Sequence, residues 1–261
     1  MPIYLYIERT GVLHRLHPAV KVMALFVMFW SVYWVDQPLA LLPLGLLMLA
    51  AAQSAGAWPN FYRLRWLFIM VIIFTTLAWM IFYRRGPALV DLKIIHLSRA
   101  SLLFGFGRGL KLAELLATSV LFLSTTKIEE FTLGLSTLGV PYRAGFAISL
   151  AFRLAPLFMD SAVTVYQAQS LRGYDFNRGG PLERIRRYVP VIIPVFMGAL
   201  RKANATAMAL EARGFGRISR PTSFIEYPIA ARDVGAVIVL FAIGAIYFMI
   251  YYTGYGTIAV R

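Results

Sequence analysis

Two arginines in this chain stand in matching surroundings. Arg172 lies in Ala168-Gln169-Ser170-Leu171-Arg172-Gly173-Tyr174 and Arg213 in Ala209-Leu210-Glu211-Ala212-Arg213-Gly214-Phe215, so both stretches read Ala-x-x-x-Arg-Gly-aromatic. A guanidinium is a planar, permanently charged fork that fits a carboxylate or a backbone carbonyl on a partner. Glycine directly after it takes the left-handed conformation that closes a helix. A cation in a last turn also faces the negative end of the helix dipole. One Arg-Gly of this kind is an ordinary helix stop. Two copies with the same alanine and aromatic neighbours predict a pair of helix tips, each presenting an arginine to another molecule.

The other reactive side chains form no comparable constellation. An integral membrane enzyme acting on lipid needs acids or His and Asp converging on one site, and the acids here stand singly apart from Glu129-Glu130. His14 and His17 have i, i+3 spacing but no evident third metal ligand, which favours ordinary interfacial histidines. Gly105-Phe106-Gly107-Arg108-Gly109 has the wrong spacing for a phosphate loop, and no Gly-x-x-x-x-Gly-Lys-Ser/Thr is present. Lys111 and Glu114 share a helix face at i, i+3 and are expected to pair. A self-sufficient secondary transporter would show inverted repeats of crossings around a buried polar site; the one repeat legible here is the Arg-Gly signature.

Composition sets what must hold these tips. The chain has 261 residues, 59% of them hydrophobic and 15% charged, against roughly a quarter charged in soluble domains. It reads as an integral membrane protein of the all-α class. The charge is lopsided, with 26 Lys or Arg against 12 Asp or Glu. The basic residues flank apolar runs, which points to positive-inside topology and an anionic lipid bilayer rather than nucleic acid. There is no cysteine, hence no disulfide framework. The N-terminus lacks the pattern of a cleaved signal peptide.

About five transmembrane helices are expected. Pro18 opens the first, which runs to Val35 and stops at Asp36-Gln37-Pro38. The next are Leu39 to Ala57, Trp66 to Tyr83 (closed by Arg84-Arg85-Gly86-Pro87), Gly105 to Thr126, and Val234 to Tyr252. Three parts follow: an N-terminal membrane domain over 1–126, a coupling-helix module over 127–232, and a last membrane helix with a short tail over 233–261. The middle part carries 14 Lys or Arg against seven Asp or Glu. It is expected in the cytosol with the N-terminus, although this leaves the basic stretch 84–104 outside.

Two long helices are expected in the middle part. The first, Gly145 to Leu171, puts Arg153, Asp160 and Gln167 on one stripe, and Pro156 is expected to kink it. Charges at mid-bilayer cost several kcal/mol, so it is expected to lie obliquely at the cytosolic face. The second runs from about Pro181 to Ala212. Its apolar part, Val189 to Leu200, is too short to span. Its alanines at Ala199, Ala203 and Ala207 suit close helix contact.

These residues resemble the transmembrane T component of energy-coupling factor (ECF) transporters, the CbiQ/EcfT-like family of ATP-driven importers of vitamins and of nickel or cobalt ions. Glu211-Ala212-Arg213-Gly214-Phe215 matches the family's second coupling signature. Ala168 to Gly173 matches the first, with Leu171 where alanine is usual. Arg153-Leu154-Ala155-Pro156 looks like its Arg-x-x-Pro. Leu13-His14-Arg15-Leu16-His17-Pro18-Ala19-Val20-Lys21 resembles its Leu-x-x-Leu-Asp-Pro-x-x-Lys, with His17 in place of aspartate. The resemblance implies a non-catalytic coupling subunit in the plasma membrane of a bacterium or archaeon. Its partners would be two ABC ATPase subunits and a small membrane S component that captures the substrate. It implies no cofactor in this chain; ATP and magnesium belong on the ATPases. Arg172, Gly173, Glu211, Ala212, Arg213 and Gly214 would engage the ATPases, while Arg153, Pro156, Asp160 and Gln169 would shape the first coupling helix.

Overall fold

The computed structural model describes residues 6–9, 11–82, 88–92, 95–217 and 227–255. In chain order they form α1 (Pro18–Trp34), α2 (Pro38–Ala55), α3 (Trp58–Arg63), α4 (Arg65–Phe82), β1 (Ala88–Leu92), β2 (Ile95–Ser98), α5 (Arg99–Thr125), α6 (Ile128–Thr137), α7 (Tyr142–Leu171), α8 (Pro181–Arg187), α9 (Val189–Ala212) and α10 (Ala231–Tyr252). The fold is the expected helical membrane architecture, with one addition. β1 and β2 pair antiparallel, Asp91 opposite His96, within the basic stretch 84–104, for which no element is expected from the sequence. The 84–87 stop, Arg220 and Glu226 lie outside the described residues. Contacts divide the chain into two compact units, Met1–Gly139 with Tyr227–Arg261, and Val140–Glu226.

In the first unit, α2, α4 and α10 are long and apolar enough to cross a membrane, and α1 is a shorter apolar helix of 17 residues. Prolines open α1 and α2, where the missing N–H has no helical acceptor. Gly56, at φ +63°, closes α2 by donating its N–H to the Ala52 and Gln53 carbonyls. The core joins Val32 and Val35 at the end of α1, Leu41 and Leu44 of α2, and Tyr247 of α10. The Tyr247 hydroxyl donates to the Ala40 carbonyl at 2.9 Å, which satisfies a polar tip inside an apolar cluster. A second cluster gathers Ala52, Ala55 and Ala57 under Leu13, Phe61 and Leu121.

α5 is the helix the first unit is packed around: it lies against α1, α2, α3 and α4. The glycine run that fails as a phosphate loop has a packing role. A Cβ on Gly105 would meet the Thr76 carbonyl oxygen of α4 at 2.8 Å, and one on Gly109 the Ile72 carbonyl oxygen at 2.9 Å. The two glycines, four apart, let the backbones approach as small residues do in membrane helix pairs. Gly107 turns the other way, against the Asp36 carbonyl.

The expected Lys111–Glu114 pair does not form. Lys111 Nζ binds Asp36 Oδ1 at 2.9 Å and the Tyr33 carbonyl, and Arg108 binds the other Asp36 oxygen at 3.1 Å. The α1–α2 connection brings a carboxylate within reach, and two cations on α5 converge on it. Glu114 is left facing α2.

In the second unit, α7 runs unbroken through Pro156, whose missing N–H leaves the Phe152 carbonyl without its helical donor. By length and composition α7 too is apolar enough to cross a membrane. The single helix expected from Pro181 to Ala212 is two. α8 ends at Arg187 and α9 begins at Val189, with Tyr188 between them at φ −84°, ψ −10°. Pro190 explains the break, because it has no N–H to continue the ladder and its ring crowds the Arg186 carbonyl.

Candidate functional site

Each arginine signature ends its helix in the same way. Leu171 is the last residue of α7, Arg172 its C-cap, and Gly173 follows at φ +84°. Tyr174 donates its N–H to the Gln169 carbonyl at 3.1 Å and Gly173 to Ser170 at 3.0 Å. α9 repeats this with Arg213 as C-cap and Gly214 at φ +74°, Phe215 donating to Leu210 at 2.9 Å and Gly214 to Glu211 at 2.9 Å. Both are complete Schellman closures. A Cβ at either glycine would meet nothing within 4 Å, so the backbone angle, not space, selects glycine there. Arg172, Arg213, Glu211 and Ala212 are all exposed.

The aromatic residue after each glycine anchors the tip. Tyr174 contacts Phe176 with ring centroids 5.0 Å apart. Phe176 is buried between Tyr166 of α7 at 4.5 Å and Tyr188, at the head of α9, at 5.3 Å. Phe215 packs on Phe146 at 4.4 Å and Tyr142 at 6.1 Å, both in the first turns of α7. Arg143 Nη2 donates to the Gly216 carbonyl at 3.2 Å. The end of each helix is therefore fastened beside the start of the other. α7 and α9 run antiparallel, and the two arginines stand at opposite ends of the pair. Sequence reasoning did not single out Phe176, Phe146 or Arg143. The shared aromatic of the two signatures was the available signal.

The loop after the first tip is held by its own charges. Arg187 donates to Glu183 at 2.9 Å and to the Asp175 carbonyl at 3.0 Å. The Glu183 bond holds the Arg187 guanidinium above its ordinary pKa. Along α7, Arg153, Pro156, Asp160 and Gln167 are all exposed, and Gln169 is half-buried. The polar stripe is thus presented rather than used internally. Much apolar surface is presented with it, including Met159, Val163, Ile192, Phe196 and Met208. Surface of this kind marks an interaction face.

The N-terminal motif lies in the first unit. Lys21 is buried and donates to the His14 carbonyl at 2.8 Å, the Thr125 carbonyl at 3.0 Å and Glu130 Oε2 at 2.7 Å. His17 caps α1, its Nδ1 accepting from the Ala19 N–H at 3.1 Å. Its own N–H donates to Asp233 Oδ1 at 2.8 Å. His14 Nε2 meets the Ile7 carbonyl at 3.1 Å, and burial pushes its imidazole below the usual pKa. The two histidines therefore serve different partners.

The helices and the paired tips define a multi-pass α-helical membrane protein carrying an exposed, arginine-ended helix pair. A family model described as cobalt transport protein, CbiQ, matches residues 9–223. The chain is 27% identical over 256 residues to the energy-coupling factor transporter transmembrane protein EcfT of Streptococcus thermophilus, covering 93% of this chain and 96% of the relative. It is 26% identical over 255 residues to EcfT of Bacillus subtilis, covering 94% and 96%. With EcfT of Acidaminococcus fermentans it shares 30% over 223 residues, 80% of this chain and 81% of the relative. The chain belongs to this CbiQ/EcfT family, the transmembrane T components of ECF transporters.

Proposed function

We propose that this chain couples two ABC ATPase subunits to a small membrane S component that captures a vitamin or a transition-metal ion. Arg172 and Arg213, with Gly173 and Gly214 closing the helices behind them, each seat in a groove on one ATPase. Glu211 and Ala212 flank the second contact. Arg153, Pro156, Asp160 and Gln169 shape the first coupling helix. ATP and magnesium bind the ATPases, and their closure moves the helix tips, which tilts the S component. Such a transition is a rigid-body switch driven by a partner's ligand. Residues 127–232 and the N-terminus face the cytosol of a bacterial or archaeal cell, the chain lying in its plasma membrane.

The observation that carries this reading is the pair of identical Schellman-closed, exposed arginine ends at opposite ends of one antiparallel helix pair. Two separated tips suit two copies of a partner better than one. The apolar faces of α7 and α9 supply surface for a third protein. The test is the double variant Arg172→Ala/Arg213→Ala. It is expected to insert normally, to lose co-purification with the ATPase pair and to abolish ATP-driven uptake. A double variant that retains its ATPases and transports at the normal rate overturns the proposal.

A further inference from the structure

Glu114 is the most anomalous side chain in the membrane-packed unit. It is 4% exposed, and neither carboxyl oxygen has a hydrogen-bond partner among the described residues. Lys111, its expected partner, is committed to Asp36. The carboxyl lines a groove of about 410 Å³ between α2, α4 and α5. Leu110, Ala113, Glu114 and Ala117 form its α5 wall, at i, i+3, i+4 and i+7. Gly45 makes room for the carboxyl, since a Cβ there would meet Oε1 at 3.0 Å. Leu46 and Ile69, 67% and 43% exposed, stand at the groove's open side. Arg65 reaches the groove from the head of α4, where its guanidinium lies 3.9 Å over the Tyr62 ring.

A buried polar group without a partner costs free energy, and an intramembrane ionisable residue marks a functional site by default. Its depth restricts what can satisfy it. The Glu114 carboxyl lies against Gly45, near the middle of the membrane-length helix α2, roughly 10 to 15 Å along the axis from either end of that helix. Lipid headgroups lie too far away, and acyl chains offer no donor. The missing donor must come from a polypeptide that crosses the membrane. The small side chains of Ala113 and Ala117 keep the groove open, so that a side chain from a helix lying over its rim at Leu46 and Ile69 can reach Glu114.

We infer that the α2–α4–α5 groove is a docking slot for one transmembrane helix of a partner membrane protein, which donates a hydrogen bond to Glu114 from a Ser, Thr, Asn, Gln or His side chain. Glu114 recognises the partner and is retained at a cost to the stability of the chain alone. The inference stands apart from the arginine tips, which act on a different unit and are read by ATPase capture.

The test places the photo-crosslinking residue p-benzoylphenylalanine at Leu46, in the full-length chain in its native membranes, with Phe26 of α1 as a control position. Illumination at Leu46, and not at Phe26, is expected to give an adduct with a single membrane protein. The crosslinked peptide should be a transmembrane segment bearing one of those donors. Glu114→Gln, which still accepts a hydrogen bond, should keep the yield within about twofold, and Glu114→Leu should lower it at least tenfold. The purified Glu114→Leu chain should melt at a higher temperature than the wild type, because the unpartnered group is gone. A merely structural carboxyl would give the opposite shift. Adducts with lipid alone or with a second copy of this chain would overturn the inference. So would an undiminished yield in Glu114→Leu, or a lowered melting temperature.

Discussion

Lys21 shows how a single residue ties distant parts of the first unit together. Its ammonium has three donors, and the three bonds go to the turn before α1, the end of α5 and Glu130 of α6. Replacing it with methionine keeps the aliphatic stem but leaves Glu130 and two carbonyls unpaired in a buried place. Breaking a buried ion pair from one side costs about 3–5 kcal/mol. Lys21→Met is therefore expected to lower stability by about that amount, read as a fall in the melting temperature in detergent, with Glu130→Gln milder because its amide still accepts a bond. The motif containing Lys21 was visible in the sequence, but its partner 109 positions away was not. His17 teaches the same lesson. Its N–H is met by a carboxylate from the far end of the chain, Asp233, which also accepts from the Ala230 N–H at 2.8 Å. A carboxylate supplied across the fold leaves no trace in local spacing.

At the scale of elements, the apolar runs were readable because membrane helices need long, nearly uncharged stretches. α1, α2, α4 and α10 begin or end within a few residues of the expected places. α5 begins at Arg99, ahead of the expected start at Gly105, and Gly105 and Gly109 bring it close along α4. α3 and α6 escaped notice, since six and ten residues carry too few turns for a periodic signal. α6 was grouped with the 127–232 block, yet it packs on α1 through contacts such as Gly134 against Pro18. The glycines give a prediction with a built-in control. Gly105→Ala and Gly109→Ala must each push a backbone carbonyl of α4 aside, and overpacking of this kind costs about 1–3 kcal/mol. Gly198 lies in α9 with nothing within 4 Å of a Cβ. Gly198→Ala should be neutral or gain up to about 1 kcal/mol from helix propensity. Thermal unfolding of the three variants in one detergent separates close packing from a general intolerance of substitution.

The largest scale is that of the arginine pair, which on the proposed function is an assembly device. The duplicated signature was legible in the sequence, but the antiparallel arrangement was not, because it depends on Phe215 meeting Phe146 and on Phe176 meeting Tyr188. α9 has 24 residues and is about 36 Å long, so tips at its two ends cannot share one pocket. On the proposed function they bind two ATPases that are themselves paired, and the attachment is bivalent. Linked contacts of this kind exceed either one alone by about 10²- to 10⁴-fold without any new bond. The single variants Arg172→Ala and Arg213→Ala should therefore each hold the ATPase pair, with affinity reduced by about 10²-fold or more, while the double variant holds none. Titrating purified ATPase pair onto nanodisc-embedded variants measures this directly. If one single variant binds like the wild type and the other like the double, then one tip carries the attachment alone, and the matched geometry of the two helix ends must serve the folding of the α7–α9 pair instead.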